Sequence, residues 1–370
     1  GMVNSTALNH GAFYLESGTL SVGGTIELIG RDPDTAYAEF NNAWGVRKGT
    51  LILSGADPFT ISGYHKVRLD GDDTTVIYSG DTQNILSPPY NTAYPSYQNL
   101  TISNSGTKSL NADIRIGGNL TVNNGATLDL NSYYPKQYMS QHTFTLGSGC
   151  NLLVGGSINF PRGFGSYILD PTSTVNYNAN IDQTVATPTM PGSSFPGLIY
   201  GNLVLSGSNA KIIYTNDITV AGNLSIAGTA KASLEYAGEG NVNSLKLGGV
   251  DQIAGTWGSS ASGATYKNDT YFANNIWSYG VLKVATGPVF VSAANSSVVA
   301  SPTSVVADGS TTSTITVTLR DSSSNPASGK TVTLAAGGGS SIISTSSGPS
   351  DDDGVVTFTV TNTEAESVTY

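Results

Sequence analysis

Three carboxylates, Asp70, Asp72 and Asp73, stand close enough to chelate calcium or to share acid and base work on a glycosidic bond. The related stretch one hundred residues on, "LDPTST" at 169–174, keeps only Asp170. The cluster is therefore read as a structural turn, with a calcium or catalytic site as the alternative, and no metal ligand set is assigned. A second acidic run, Asp351, Asp352 and Asp353, precedes Gly354 in what reads as a hairpin turn. His10, His65 and His142 lie far apart, and the His-x-x-x-His or Cys-x-x-Cys spacing that zinc requires is missing. No G-x-S-x-G, phosphate-binding loop or GGxGxD calcium repeat occurs, so neither catalysis nor a cofactor is expected. Aromatic rings are the remaining candidates. Trp257, Tyr266, Tyr271, Trp277 and Tyr279 gather with Asn and Asp near the end of one segment. Such a group can stack on sugar faces or can plug an apolar end. Tyr90, Tyr94 and Tyr97 fall in "SPPYNTAYPSYQN", read as an outward loop, and loops on a rigid scaffold often carry recognition.

The elements that position these residues follow from composition. Charged residues make up 11% of the 370, against 44 glycines, the profile of a turn-rich all-β chain of about two domains. A net charge of −10 with scattered Lys and Arg offers no attraction to nucleic acid or anionic membranes. Cys150 is single and sits in an apolar strand pattern, so a core position is expected rather than a disulfide or reactive thiol. No apolar run is long enough to span a bilayer. Gly1 before Met2 reads as the remnant of a removed tag, and the last residues read as mid-strand, so a longer exported protein is expected, with its targeting and anchoring segments elsewhere.

A repeat carries most of the fold information. "YQNLTISNSGTKSLNADIRIGGNLTVNNGATLDL" at 97–130 matches "YGNLVLSGSNAKIIYTNDITVAGNLSIAGTAKASL" at 200–234, and 69–83 parallels 169–183. The long period is about 100 residues, with copies at about 50–145 and 150–240. Within each copy an Asn-Leu pair recurs after about one solenoid coil and opens a short alternating strand. Strands this short must stack on other coils to bury their apolar face. The spacing predicts a right-handed parallel β-helix over 1–286, closed by an end cap at 245–286. Asn99, Asn119, Asn202 and Asn223 are expected at the corners, where left-handed backbone is tolerated and a side-chain amide can bond neighbouring main chain. In "RDPDTAYAEFNNAWGVRKGT", with Asp34 able to cap "TAYAEF", the pattern allows a helical turn or a loop covering the other end. After Gly287 the composition turns to Ser, Thr and Val, and short strands imply a β-sandwich over 288–370.

The "GNLT" strands and closing "GTWGS…NDTYF" segment resemble those of filamentous-haemagglutinin-like or autotransporter-like bacterial β-helical adhesins. The run "VVADGSTTSTITVTLRD", the turn "SNPASGKTVTL" with Pro326 and Gly329, and "DDDGVVTFTVTNT" with Gly354 resemble bacterial Ig-like domains of the intimin and invasin type. In that family pattern the final strand continues beyond Tyr370. The resemblance implies a non-enzymatic, extracellular or cell-surface adhesin or structural fragment, a rod on an Ig-like stalk, monomeric by itself. Its expected partners are a host-cell, matrix or glycan receptor or neighbouring surface proteins. The alternative is a carbohydrate-binding or carbohydrate-active β-helix of lyase or glycosidase type, which needs carboxylates converging on one face.

Overall fold

The computed structural model describes residues 13–15, 19–29, 44–46, 48–62, 69, 73–87, 95–138, 141–321 and 323–370. The helical turn expected around Asp34, the side chains of Asp70 and Asp72, and Tyr90 and Tyr94 lie outside these residues. The described residues form strands and turns with no helix, in two compact units, 1–287 and 288–370.

The first unit is a parallel β-solenoid. One sheet stacks seven strands from Thr19–Val22 to Ser166–Leu169, and a longer sheet contributes eight successive coils from Gln83–Ile85 to Glu239–Leu247. A third face is carried by short pairs, Ile114–Ile116 with Pro135–Gln137, then Gln183–Thr184, Ala210–Ile213 and Lys231–Leu234. Strands such as Asn99–Ile102 alternate between the core and the outside, with Leu100 and Ile102 pointing inward. Across coils the inward residues stack like on like, Val76 on Leu100 on Leu120 on Phe144. One apolar column runs from Leu51 to Val284, and Cys150 is fully buried within it.

The corner asparagines bond neighbouring main chain. Asn99 Nδ2 donates to Thr74 O at 3.0 Å, and Asn119 N donates to Asn99 Oδ1 at 2.9 Å. Thr143 N then donates to Asn119 Oδ1 at 3.0 Å. In the second copy Asn202 Nδ2 reaches Ser173 O, and Asn202 Oδ1 accepts Asn223 N. The left-handed geometry expected of these four belongs to other asparagines, Asn104, Asn124, Asn131 and Asn209, at the turns between strands. The reason is position: Asn99, Asn202 and Asn223 lie in strands and Asn119 immediately precedes one, whereas the chain reverses at the turn residues.

The two copies occupy different faces. The Asn99–Ile102 strand belongs to the seven-stranded sheet, while its counterpart Asn202–Leu205 stacks in the longer one. Asp73–Tyr78 and Thr174–Tyr177 are displaced in the same way. Four coils separate Asp73–Tyr78 from Ser166–Leu169, and Thr174–Tyr177 is the next face on. The duplicated segment thus turns one face around the rod, because its length is not a whole number of coils.

Tyr97 corrects an expectation. It does not point outward from a loop but is fully buried, bridged in parallel to Leu69 and Ile116. Its hydroxyl lies 2.9 Å from that of Tyr78 and donates to Leu86 O at 2.5 Å, while Leu86 N donates to Tyr78 Oη at 3.0 Å. The second copy repeats the clamp. Tyr177 and Tyr200 hydroxyls are 3.2 Å apart, Ala186 N donates to Tyr177 Oη, and Tyr200 Oη donates to Ala186 O. Each pair holds both main-chain polar groups of one residue, Leu86 or Ala186.

The second unit has a four-stranded antiparallel sheet, in order Ser297–Ser301, Ser313–Thr318, Val355–Thr361 and Ile342–Ile343. Its inner face presents Ile315, Val317, Val356, Phe358 and Val360, against which Val289, Val332 and Leu334 pack. Gly329 and Gly354 take positive φ at the turns flanking Ala327 and Val355.

Replacing Tyr177 by Phe leaves the buried Ala186 N–H without its acceptor. The expected loss is about 1–3 kcal/mol of unfolding free energy by urea denaturation, whereas exposed Tyr279→Phe should change it by less than about 0.5 kcal/mol.

Candidate functional site

The last coil passes into the segment 248–286, which brings part of the predicted aromatic group together and leaves part of it in solvent. Gly255–Gly258 pairs antiparallel with Val281–Val284, and Val281–Val284 continues the parallel stack on Glu239–Leu247. Trp257 is buried and stacks on Tyr266 with ring centroids 4.9 Å apart and an angle of 29°. Its indole Nε1 donates to Ile253 O at 2.9 Å. Tyr266 and Tyr271 are half-buried against the core, and Phe272 is fully buried. These rings close the apolar column. The packing is tight, since a Cβ on Gly248 would meet the Tyr271 hydroxyl.

Trp277 and Tyr279 point the other way. They are 65% and 58% exposed, and Ile276 beside them is 70% exposed. Their backbone is nevertheless fixed. Ser278 N donates to Asn275 O, and Trp277 N donates to Asn275 Oδ1 at 2.9 Å. Asn275 Nδ2 donates to Ser233 Oγ, and the buried Ser278 accepts Leu234 N on its hydroxyl and Ser259 Oγ on its carbonyl. Gly280 N also donates to Leu234 O. The turn is bolted to the strand Lys231–Leu234 by polar groups while it holds three large apolar side chains in water. Nearby, Asp269 accepts Ser260 N at 2.7 Å, Ser260 Oγ at 2.6 Å and Asn274 Nδ2 at 3.2 Å. The Ser260 hydroxyl and amide lead in holding its carboxyl below the usual range. These bonds hold the Asp269 carboxylate within the loop.

Of the acidic candidates, Asp73 opens the strand Asp73–Tyr78 and is exposed. Asp170 accepts Thr172 N and Thr172 Oγ1, the bonds of a turn, which lower its pKa. Asp351 accepts Asp353 N and Val355 N in the turn before Val355–Thr361. Among the described residues, no group of three or more His, Cys, Asp or Glu side chains is placed to hold a metal ion.

The structure adds buried polar groups that reasoning from motifs missed. Lys108 and Lys211 are fully buried at matching places in the two copies. Lys108 Nζ donates to Asn104 O and Ser105 O, and Lys211 Nζ donates to Ala179 O and Gln183 Oε1 at 2.6 and 2.7 Å. Each lysine stacks in register on a glutamine of the preceding coil, Gln83 or Gln183. Gln83 Nε2 donates to Leu53 O and Gly55 O, and Gln183 Nε2 to Val154 O and Gly156 O. Burial lowers the pKa of both lysines, Lys211 to about 8, with Asp182 opposing the shift. Such shifts also mark catalytic lysines. Here each ammonium is turned into main-chain carbonyls, so the arrangement serves the coil. Burial likewise raises Tyr78, to about 12. The signal in the sequence was the alignment itself, which places Lys108 opposite Lys211 and Gln83 opposite Gln183.

Residues 295–370 match the family of bacterial Ig-like domains, group 1. No curated protein and no solved structure matches the chain. The chain is therefore a β-solenoid followed by a bacterial Ig-like domain, an organisation that fits a surface protein, since such domains are typical of surface or extracellular proteins.

Lys211 gives a pH dependence. An unfolded lysine keeps its proton to about pH 10.5, whereas Lys211 in the folded chain releases it near 8. Between these values the unfolded state binds more protons, so stability attributable to this group rises with pH. The unfolding midpoint of the parent chain, relative to Lys211→Met, should increase from about pH 7.5 to about pH 10; a constant difference would mean that the ammonium keeps its charge.

Proposed function

We propose that the chain is a non-enzymatic bacterial adhesin, extracellular or on the cell surface, whose solenoid presents the end turn 275–279 to a receptor while the Ig-like domain serves as stalk. The observation that carries this reading is the pairing of a rigidly bonded turn with exposed Ile276, Trp277 and Tyr279. Leaving large apolar side chains in water costs free energy, and a contiguous exposed group of them marks a contact surface. Rigid anchoring lowers the ordering cost of binding, and Trp and Tyr dominate the energetics of recognition surfaces. The Ig-like family match supports the compartment.

The partner class is a glycan or a matrix or host-cell protein, and nucleic acid is disfavoured by the acidic charge. A sugar is the reading that the aromatic faces favour, because pyranose rings offer an apolar face to stack on Trp or Tyr. A carbohydrate-active enzyme is the competing reading, and it would show itself by depolymerising a polysaccharide.

The test is a binding screen of the full chain on a glycan array and on immobilised matrix proteins. Trp277→Ala with Tyr279→Ala should reduce binding by about tenfold or more, the scale of a binding hot spot, with the unfolding midpoint unchanged. Trp257→Ala should instead lower stability by about 3–5 kcal/mol, the cost of emptying a buried aromatic site. Binding that survives the double substitution would sink the assignment of the turn.

A further inference from the structure

Lysine and arginine are scattered along the sequence, yet the coils bring three of them into one row on the third face of the solenoid. Arg115 of Ile114–Ile116 pairs in register with Lys136 of Pro135–Gln137, and Lys136 forms a parallel bridge with Arg162. Residues paired in register across parallel strands project from the same side, so the three cations follow one another at about 4.8 Å per coil. Lys136 is exposed, and Arg115 and Arg162 are half-buried. Like charges at this spacing repel.

Carboxylates do not offset the row at Lys136 and Arg162. The chain carries 26 Asp and Glu, but none lies between Asp129 and Asp170, a stretch that contains both of these cations. Among the described residues no carboxylate forms an ion pair with either of them. Arg162 rests instead on an aromatic ring, its guanidinium 4.7 Å from the centroid of Tyr134, and its buried Nε has no hydrogen-bond partner. Asp113, two residues before Arg115, directs its Oδ1 to Tyr134 N at 2.9 Å. The net charge of −10 is carried elsewhere, and with a screening length of about 8 Å it does not cancel a local row. Beside the row, Tyr138 is two residues beyond Lys136 and 42% exposed. A phenol next to a cation suits an acidic sugar, whose ring offers an apolar face and whose anionic group takes a charge-assisted hydrogen bond.

We propose that this row binds an acidic polysaccharide running across successive coils, with carboxylate or sulfate groups on Lys136 and Arg162 and a sugar ring against Tyr138. Arg115 extends the row by one coil. Anions placed along the row relieve the repulsion between its members. The site is independent of the end turn 275–279 and stands whether or not that turn binds a receptor.

The probes are an oligogalacturonate, which carries carboxylates, and a dextran sulfate of similar length. Each is titrated against the full chain by calorimetry at about 0.15 M salt, with neutral dextran as reference. Saturable binding of at least one anionic chain and none of dextran is expected, and the tighter of the two identifies the group recognised. Lys136→Glu should weaken binding about tenfold or more, the scale of a charge pair replaced by repulsion, with the unfolding midpoint unchanged. Lys246→Glu makes the same change of net charge at a lysine already 3.6 Å from Asp251. It should alter binding by less than about twofold, and Trp277→Ala with Tyr279→Ala should leave binding intact. The proposal is overturned if neither anionic chain binds better than dextran, if Lys136→Glu and Lys246→Glu weaken binding equally, or if the end-turn substitutions abolish it. Polyglutamate binding as tightly as the polysaccharides would also overturn it and give the row to an acidic polypeptide.

Discussion

Strands of three or four residues cannot satisfy their own main chain, and every feature of the first unit answers that constraint. Each N–H and C=O that points along the axis needs a coil above and below, so the parallel ladder and the apolar column form together or not at all. The same demand reaches the corners, where side-chain amides of Asn99, Asn119 and Asn202 bond to main chain between strands. Buried Gln83, Gln183, Lys108 and Lys211 extend it inward, adding a second hydrogen bond to carbonyls such as Leu53 O, Val154 O and Ala179 O that already accept a main-chain N–H of the next coil. An ammonium is tolerated there because two carbonyl or amide oxygens replace its water, at the cost of a lowered pKa.

The tyrosine clamps show how such a rod accepts interruptions. Between Thr184 and Tyr200 the chain departs from the regular coil length. Ala186, where that departure begins, and Leu86 in the first copy each have both main-chain groups held by a pair of buried hydroxyls. The face-to-face displacement of the copies follows from the same accounting, because local contacts are inherited by sequence while the face is set by the coil count.

At the closing end, two opposite demands are met within a few residues. Trp257, Tyr266, Tyr271 and Phe272 seal the column against water. Ile276, Trp277 and Tyr279 are kept out of it by a turn whose polar groups, Asn275 and Ser278, face the last coils. A plug needs apolar surface directed inward, and nothing in plugging requires the outward group. The turn therefore leaves large apolar side chains in water beside the plug.

The sequence by itself determined the all-β character, the stacked coils, the inward Leu and Ile of each strand, the buried Cys150 and the Ig-like module, because these rest on local alternation and turn chemistry. It also placed an aromatic group at 257–279. Only the tertiary structure decided which rings face in, since Trp257 and Trp277 carry the same side chain and differ only in whether a coil lies beneath them. For the same reason Tyr97 read as a loop tyrosine but belongs to the core, its direction being fixed by Tyr78 on the preceding coil, nineteen residues away. The face occupied by each copy and the role of Lys108 and Lys211 were likewise hidden, because both depend on which coil stacks on which, a relation between distant residues that no local spacing contains.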